Sequence, residues 1–321
     1  MSSKSGNTSA KKSGKSKVYA YLGPAGTFTE LALAQVAEAA DATWNPVVSQ
    51  AEALSDVMAG RAHRAIVPVE SSVEGGVGAT LDALATIGDI RIYGEYLVPI
   101  NFNLVVRPGT KLGDIKVVAA HAVAYPQVRE WLRANLPNHV HLPATSNAAA
   151  AADLLASDAA DAAVSTPHIT EHYPVSVLAK NIADNKHAQT RFLQVGLPGK
   201  QPEPTGADKT SIIVELPTDR PGTLLEMLEQ FAVRGLNLSR IESRPIGDRL
   251  GRYRFNLDIE GHIQDRAVGE ALAGLYRFSP KVTYLGSYPR ADKLQTKPNG
   301  NNTNSEFEAA NEWIKGLRKG H

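Results

Sequence analysis

Three polar clusters hold residue types able to do chemistry. The first, Gly23-Pro24-Ala25-Gly26-Thr27-Phe28-Thr29, joins an apolar run to a helical pattern. Glycines let a ligand approach the backbone, and hydroxyls with free N–H groups at a helix start favour an anion such as a carboxylate. The alternative is a capped turn with Thr29 as N-cap. The loop lacks both the Lys-Ser/Thr pair and the GxGxxG spacing of nucleotide loops. The second cluster, Val67-Pro68-Val69-Glu70-Ser71-Ser72-Val73-Glu74-Gly75-Gly76-Val77, sets two carboxylates and two hydroxyls at a strand's end. Ligand sites of α/β sheets gather there, though a solvated connection fits equally. In the third, Gln189-Thr190-Arg191-Phe192 follows the polar loop Asn181–Asn185. Thr190 either faces a cleft or initiates a strand after an Asx-type turn.

Histidines add two questions. His121 follows a short apolar strand and is a cleft candidate or a structural histidine. His168 and His172 stand four residues apart in His168-Ile169-Thr170-Glu171-His172, but zinc chemistry would want a third protein ligand, and the spacing matches neither HExxH nor HxxEH. No metal is expected.

Positioning these groups requires alternating elements. Candidate strands are Val18–Leu22, Arg64–Val69, Ile90–Val98, Phe102–Val106, Val117–Ala119, Ala162–Ser165 and Phe192–Val195. Helical patterns lie around residues 29–40, 50–60, 77–87, 125–135, 146–157 and 167–173. The alternation predicts an α/β domain over residues 18–196 with a largely parallel sheet, long enough for two lobes and a cleft. A Pro- and Gly-rich linker, 197–208, precedes a different pattern over 209–288. There, Ser211–Leu216, Pro221–Val233, Leu236–Ser243, Arg252–Ile259, a helix around Val268, Ala271, Leu272 and Leu275, and Val282–Leu285 read βαββαβ, a ferredoxin-like domain. Asp219 to Leu225 starts its first helix with a glycine, and Asn237 and Ser239 open the next strand. Helix N–H groups for a carboxylate beside an Asn or Ser oxygen for an ammonium suit an amino acid. Residues 289–321 form a tail with a short helix from Ser305 to Leu317, capped by a Ser305/Glu308 box.

Composition narrows the classes. The 321 residues are 43% hydrophobic and 21% charged, as in soluble globular proteins of about two domains. Five lysines (Lys4, Lys11, Lys12, Lys15, Lys17) and no acid lie in residues 1–17, read as a disordered arm. After residue 290 there are five bases and four acids, so the +1 total leaves a body at −5. An acidic body argues against a nucleic-acid surface. No apolar run suggests a signal peptide or membrane span. The absence of cysteine excludes disulfides and thiolate chemistry and suits the cytoplasm.

Taken in order, GPAGTFTE at Gly23–Glu30, VPVES…GG at Val67–Gly76, Thr190-Arg191-Phe192 and Ile241-Glu242-Ser243-Arg244-Pro245 resemble the prephenate dehydratases that carry a C-terminal ACT regulatory domain. The resemblance covers about residues 18–288. It implies a periplasmic-binding-protein-like two-lobed catalytic domain plus the ACT domain, and a hydro-lyase that turns prephenate into phenylpyruvate in phenylalanine biosynthesis without cofactor. It further implies catalytic roles for Thr190, Glu70, Arg191 and Phe192, with Thr190 donating to the leaving hydroxyl and Glu70 or water relaying the proton. Gly26, Thr27, Phe28, Thr29, Ser71, Gln127, Ser146, Asn147 and Ala148 would hold substrate. Gly222, Thr223, Leu224, Asn237, Leu238, Glu242, Ser243, Arg244 and Pro245 would bind the effector L-phenylalanine at an interface of a homodimer or homotetramer. Three positions depart from the family: Ser71 for asparagine, Ala120-His121-Ala122 for serine-histidine-proline, and Thr223 for alanine. Arogenate dehydratase, a two-lobed solute-binding protein and a catalytically impaired amino-acid sensor are the rival readings.

Overall fold

The computed structural model describes residues 16–217, 220–247, 251–295 and 301–320. The lysines of the arm up to Lys15, Asp219 and residues 296–300 lie outside them. Lobe one comprises β1 (Val18–Leu22), α1 (Phe28–Ala34), β2 (Thr43–Val47), α2 (Gln50–Met58), β3 (Arg64–Ser71), β4 (Gly75–Gly76), α3 (Gly78–Thr86) and β5 (Arg91–Pro99). Lobe two comprises β6 (Asn103–Val106), β7 (Val117–His121), α4 (Arg129–Asn135), β8 (Val140–Ala144), α5 (Asn147–Ala156), β9 (Ala162–Ser165) and β10 (Ser176–Ala179). The chain then returns to lobe one as β11 (Gln189–Gly196).

The first sheet runs β2-β1-β3-β11-β5 and the second β10-β6-β9-β7-β8. Each has the expected parallel core, β2-β1-β3 and β8-β7-β9, but the sheets are mixed. β11 enters from the other lobe and so runs antiparallel to β3 and β5. Central β3 is covered on both faces, which is why Ala65, Ile66 and Val67 form an unbroken apolar run. Two segments cross between the lobes side by side. Ile100 N–H donates to Ala188 O at 2.7 Å, and Asn101 Nδ2 to Asn181 Oδ1 at 2.8 Å.

The remaining domain is β12 (Asp208–Glu215), α6 (Thr223–Ala232), β13 (Leu238–Pro245), β14 (Tyr253–Glu260), α7 (Arg266–Phe278) and β15 (Lys281–Pro289). Its sheet runs β13-β14-β12-β15. Met227, Phe231, Val268, Ala271 and Leu275 of the helices pack with Ile212, Val214, Leu257 and Ile259 of the strands. Alternate strand residues point the other way. Ile213, Leu285 and Tyr288 join the core of lobe one with Ile92, Leu193 and Val195.

Several expected elements differ. The pattern over 29–40 breaks after Ala34 into a 3-10 turn, Ala37–Ala39. That over 167–173 shrinks to the 3-10 turn Ile169–Glu171, with Pro174 closing it by pushing Tyr173 out of the helical region. The final helix, α8 (Asn304–Arg318), is capped by Thr303 and Glu306 instead of Ser305 and Glu308. Glu308 faces Arg266 of α7 instead. No helix among the described residues is long and apolar enough to cross a membrane.

Candidate active site

β11 carries two functions on its two faces. Thr190 pairs with Ser71 of β3 and Val98 of β5, which places it at the end of the sheet nearest lobe two. Ser72 anchors the strand start: Gln189 N–H donates to Ser72 Oγ and Ser72 N–H to Gln189 O, both at 2.9 Å. The Thr190 hydroxyl is half-buried and has no protein partner among the described residues. Phe192, two residues on and on the same face, is buried with Tyr19, Tyr21 and Phe102 in the core that spans both lobes.

The first loop closes on lobe two. Thr166 Oγ1 donates to Gly26 O at 2.7 Å, and Ala148, Ile169 and His172 pack against Gly26. Gly26 N–H donates to Glu30 Oε2 at 2.5 Å. The N-cap position belongs to Thr27 instead of Thr29: Thr27 Oγ1 donates to Leu22 O at 3.1 Å, and Thr29 is buried within α1. Phe28 meets Phe102 edge-on at 5.7 Å between centroids.

From lobe two, Ser146 caps α5, its Oγ accepting from Ala149 N–H at 2.9 Å. Asn147 Oδ1 is buried without a hydrogen-bond partner in the protein. Gln127 is half-buried; its Nε2 donates to Val123 O at 2.9 Å, and its main-chain oxygen accepts from Asp184 N–H at 2.7 Å. Asp184 accepts from Glu130 and Trp131 N–H, so the polar loop 181–185 serves to cap α4. Burial pushes the His121 imidazole below its ordinary value, against an opposing pull from Glu74 of lobe one.

Glu70 and Arg191 sit on the opposite face from Thr190. Arg191 Nε donates to Glu70 at 3.1 Å, Nη1 to Glu95 at 2.9 Å and Nη2 to Asp258 of β14 at 2.5 Å. Asp258 also accepts from Arg240 Nε at 2.9 Å and Ser211 Oγ at 2.6 Å, and Lys209 Nζ reaches Glu95 at 3.0 Å. Burial alone would raise the Asp258 carboxyl, but the Arg191 and Arg240 guanidiniums hold it far below the usual carboxylate range. Burial pushes the Tyr288 phenol, bonded to Ser211 at 2.6 Å, well up.

The residues expected to bind an effector divide among four places. Glu242 and Arg244 point at lobe one. Arg244 Nη2 lies 2.6 Å from Asp82, which Arg254 also contacts at 2.7 Å, and these bonds hold the Asp82 carboxyl low. A Cβ on Gly76 would lie 1.8 Å from Glu242 Oε2, so the Glu242 carboxylate rests directly against the bare backbone of that glycine. Gly222, Thr223 and Leu224 start α6, with Gly222 left-handed at φ 89° and Thr223 Oγ1 donating to Arg220 O at 3.0 Å. Asn237 and Leu238 lie beyond the far end of that helix, about 15 Å away at 1.5 Å per residue. Ser243 and Pro245 are exposed on β13, the edge of its sheet.

Residues 19–200 match the family model for prephenate dehydratase and residues 210–275 that for the ACT domain. Prephenate dehydratase of Mycobacteroides abscessus is 45% identical over 306 residues, covering 94% of this chain and 97% of that one. The chain belongs to the prephenate dehydratase family. Among solved structures, the prephenate dehydratase of Arthrobacter aurescens in complex with L-Phe superposes with a TM-score of 0.90 at 51% identity, over 94% of this chain and 99% of that one. A chain described as GqqA, a novel type of quorum quenching acylase, gives 0.75 at 27% identity over 85% and 98%. In this prephenate dehydratase family member, sequence reasoning named Ser72 without a role and missed Glu95 and Asp258. A signal existed for the last two: an acid inside an apolar strand run needs a buried partner.

Proposed function

We propose that this chain catalyses the decarboxylative dehydration of prephenate to phenylpyruvate and that L-phenylalanine regulates it through the ACT domain. The observation that carries the reading is the unpartnered Thr190 hydroxyl at the junction of two lobes, in a chain of this family. Prephenate's ring becomes aromatic when the bond to its ring carboxylate breaks. CO2 departs, the electron pair enters the ring, and the ring hydroxyl leaves as water once protonated. Aromatisation drives the step, so the protein need only place a donor and hold a dianion, and no cofactor is required.

Thr190 is the donor in this scheme. Glu70 accepts from Arg191 on the other face of the sheet, so the proton that restores Thr190 comes through cleft water instead of Glu70. The N–H groups of Thr27, Phe28 and Thr29 are the orphan donors of a helix start. With Ser71, Gln127 and the Ser146–Ala148 turn from the opposite lobe, they are assigned to the substrate's two carboxylates, while Gly26, whose N–H is taken by Glu30, shapes the loop that presents them. Phe192 packs behind Thr190 and fixes its strand; Arg191 acts on position alone.

The regulatory half of the reading rests on β13. An unpaired edge strand is a template for another chain. Antiparallel pairing of two copies about a two-fold axis brings the Asn237 end of one β13 beside the Pro245 end of the other. The split effector residues then meet only in the dimer. The Arg191–Asp258 pair supplies the route from that interface to the strand holding Thr190. A cysteine-free chain with a biosynthetic substrate is assigned to the cytoplasm.

The test is to incubate the purified chain with prephenate, and in parallel with arogenate, and follow product with and without L-phenylalanine. Phenylpyruvate formation that L-phenylalanine modulates is expected. Product from arogenate alone would move the substrate assignment, and no product from either would leave a sensor.

A further inference from the structure

The His168/His172 pair wants a third protein ligand, and the fold supplies one from the other lobe. Glu30, on α1 of lobe one, places Oε2 3.0 Å from His172 Nε2 and 3.8 Å from His168 Nε2. One ligand atom from each residue lies within 4.8 Å of the others. Four ligands about 2.0–2.1 Å from a tetrahedral ion stand roughly 3.3 Å apart, so the two Glu30 distances bracket that spacing. The histidines flank the short turn Ile169–Glu171, at its two cap positions.

Two further observations point to a bound cation. Neither buried ring nitrogen of His168 makes a hydrogen bond of ordinary geometry, the Thr27 backbone being the protein hydrogen-bonding group that acts on the imidazole, which leaves at least one nitrogen for something unseen to complete. Glu30 Oε2, besides facing both imidazoles, accepts from Gly26 N–H, the kind of outer contact that orients a ligating carboxylate. The His172 side chain is 27% exposed, which leaves an entry path and room for a water in the fourth position.

We propose that Glu30, His168 and His172 form a divalent-metal site for a borderline ion of the Zn²⁺ class. It takes a carboxylate from lobe one and two imidazoles from lobe two, and so pins the lobes together beside the Gly26 loop. The site is distinct from Thr190 and needs no role in the chemistry.

The experiment strips the full chain with a chelator and titrates it with Co²⁺ as a spectroscopic probe and with Zn²⁺ in competition. One ion per chain is expected, with the intense visible bands of tetrahedral cobalt and a thermal midpoint raised by Zn²⁺. Glu30→Gln and the double variant His168→Ala/His172→Ala should lose the bands and the midpoint shift. His172→Asn, at the partly exposed position, serves where the double variant does not fold. Absence of stoichiometric binding, or equal binding by these variants, overturns the proposal, because the remaining histidines would then account for it.

Discussion

Arg191 Nη2 lies 2.5 Å from Asp258 Oδ2, across the boundary between the catalytic and ACT domains. The arginine adjoins Thr190 on one strand, and strand geometry sends the two side chains to opposite faces. One residue therefore meets the cleft while its neighbour is held by the regulatory sheet. Both partners of the pair are buried, and Arg240 shares the same carboxylate.

Asp258→Asn is expected to destabilise the protein by about 3–5 kcal/mol, since it leaves Arg191 and Arg240 buried with too little negative charge. Chemical denaturation followed by circular dichroism measures this. A loss below about 1 kcal/mol, the range of exposed pairs, would show the network to be solvated.

Acid should loosen the domains late. Asp258 and Asp82 are both held below the ordinary carboxylate value of about 3.9 in the folded state. A depressed folded pKa stabilises fully above the unfolded value, and that contribution disappears as pH falls through the folded one. The wild type is thus expected to keep its domains docked through pH 4 and to separate below it, as limited proteolysis or scattering would reveal. Separation beginning near pH 5 to 6 would point to other groups.

Thr190→Ala should lower kcat by about 100- to 10,000-fold with little change in KM, the signature of a contact made in the transition state. Steady-state formation of phenylpyruvate reads it directly. Near-normal turnover would refute the assignment.

Gly222→Leu should remove the response to L-phenylalanine. No atom lies within 4 Å of a Cβ built there, so the cost to the fold is only that of a left-handed residue, about 1–2 kcal/mol. Turnover across an effector series checks it, and equal loss of turnover and response counts against a separable regulatory site.

Central strands and both domains were legible because continuous apolar runs mark strands covered on two faces. β2, β8 and β10 were not, and each is the outer strand of its sheet. Their half-exposed sequences, with Pro46 in β2 and Pro143 in β8, carry no alternation, and pairing with an inner neighbour alone makes them strands. The position of Thr190 at a strand start and of the Gly26 loop before a helix were legible from type and spacing. The destination of Arg191 was not, because beside Glu70 of β3 the carboxylates that hold it come from β5 and from another domain. The same distance in sequence hid Glu30 from His168 and His172.

The paired crossing segments have a mechanical consequence. A single tether would let the lobes twist as well as bend, whereas two, bonded between Ile100 and Ala188, leave essentially one opening angle. Arg191, Glu95 and Asp82, which take the ion pairs from the regulatory sheet, all belong to lobe one. That sheet therefore travels with one leaf of the hinge, and lobe two swings against the pair as a single lever. A distance label on lobe two, read against one on α7, would trace the whole motion along one coordinate.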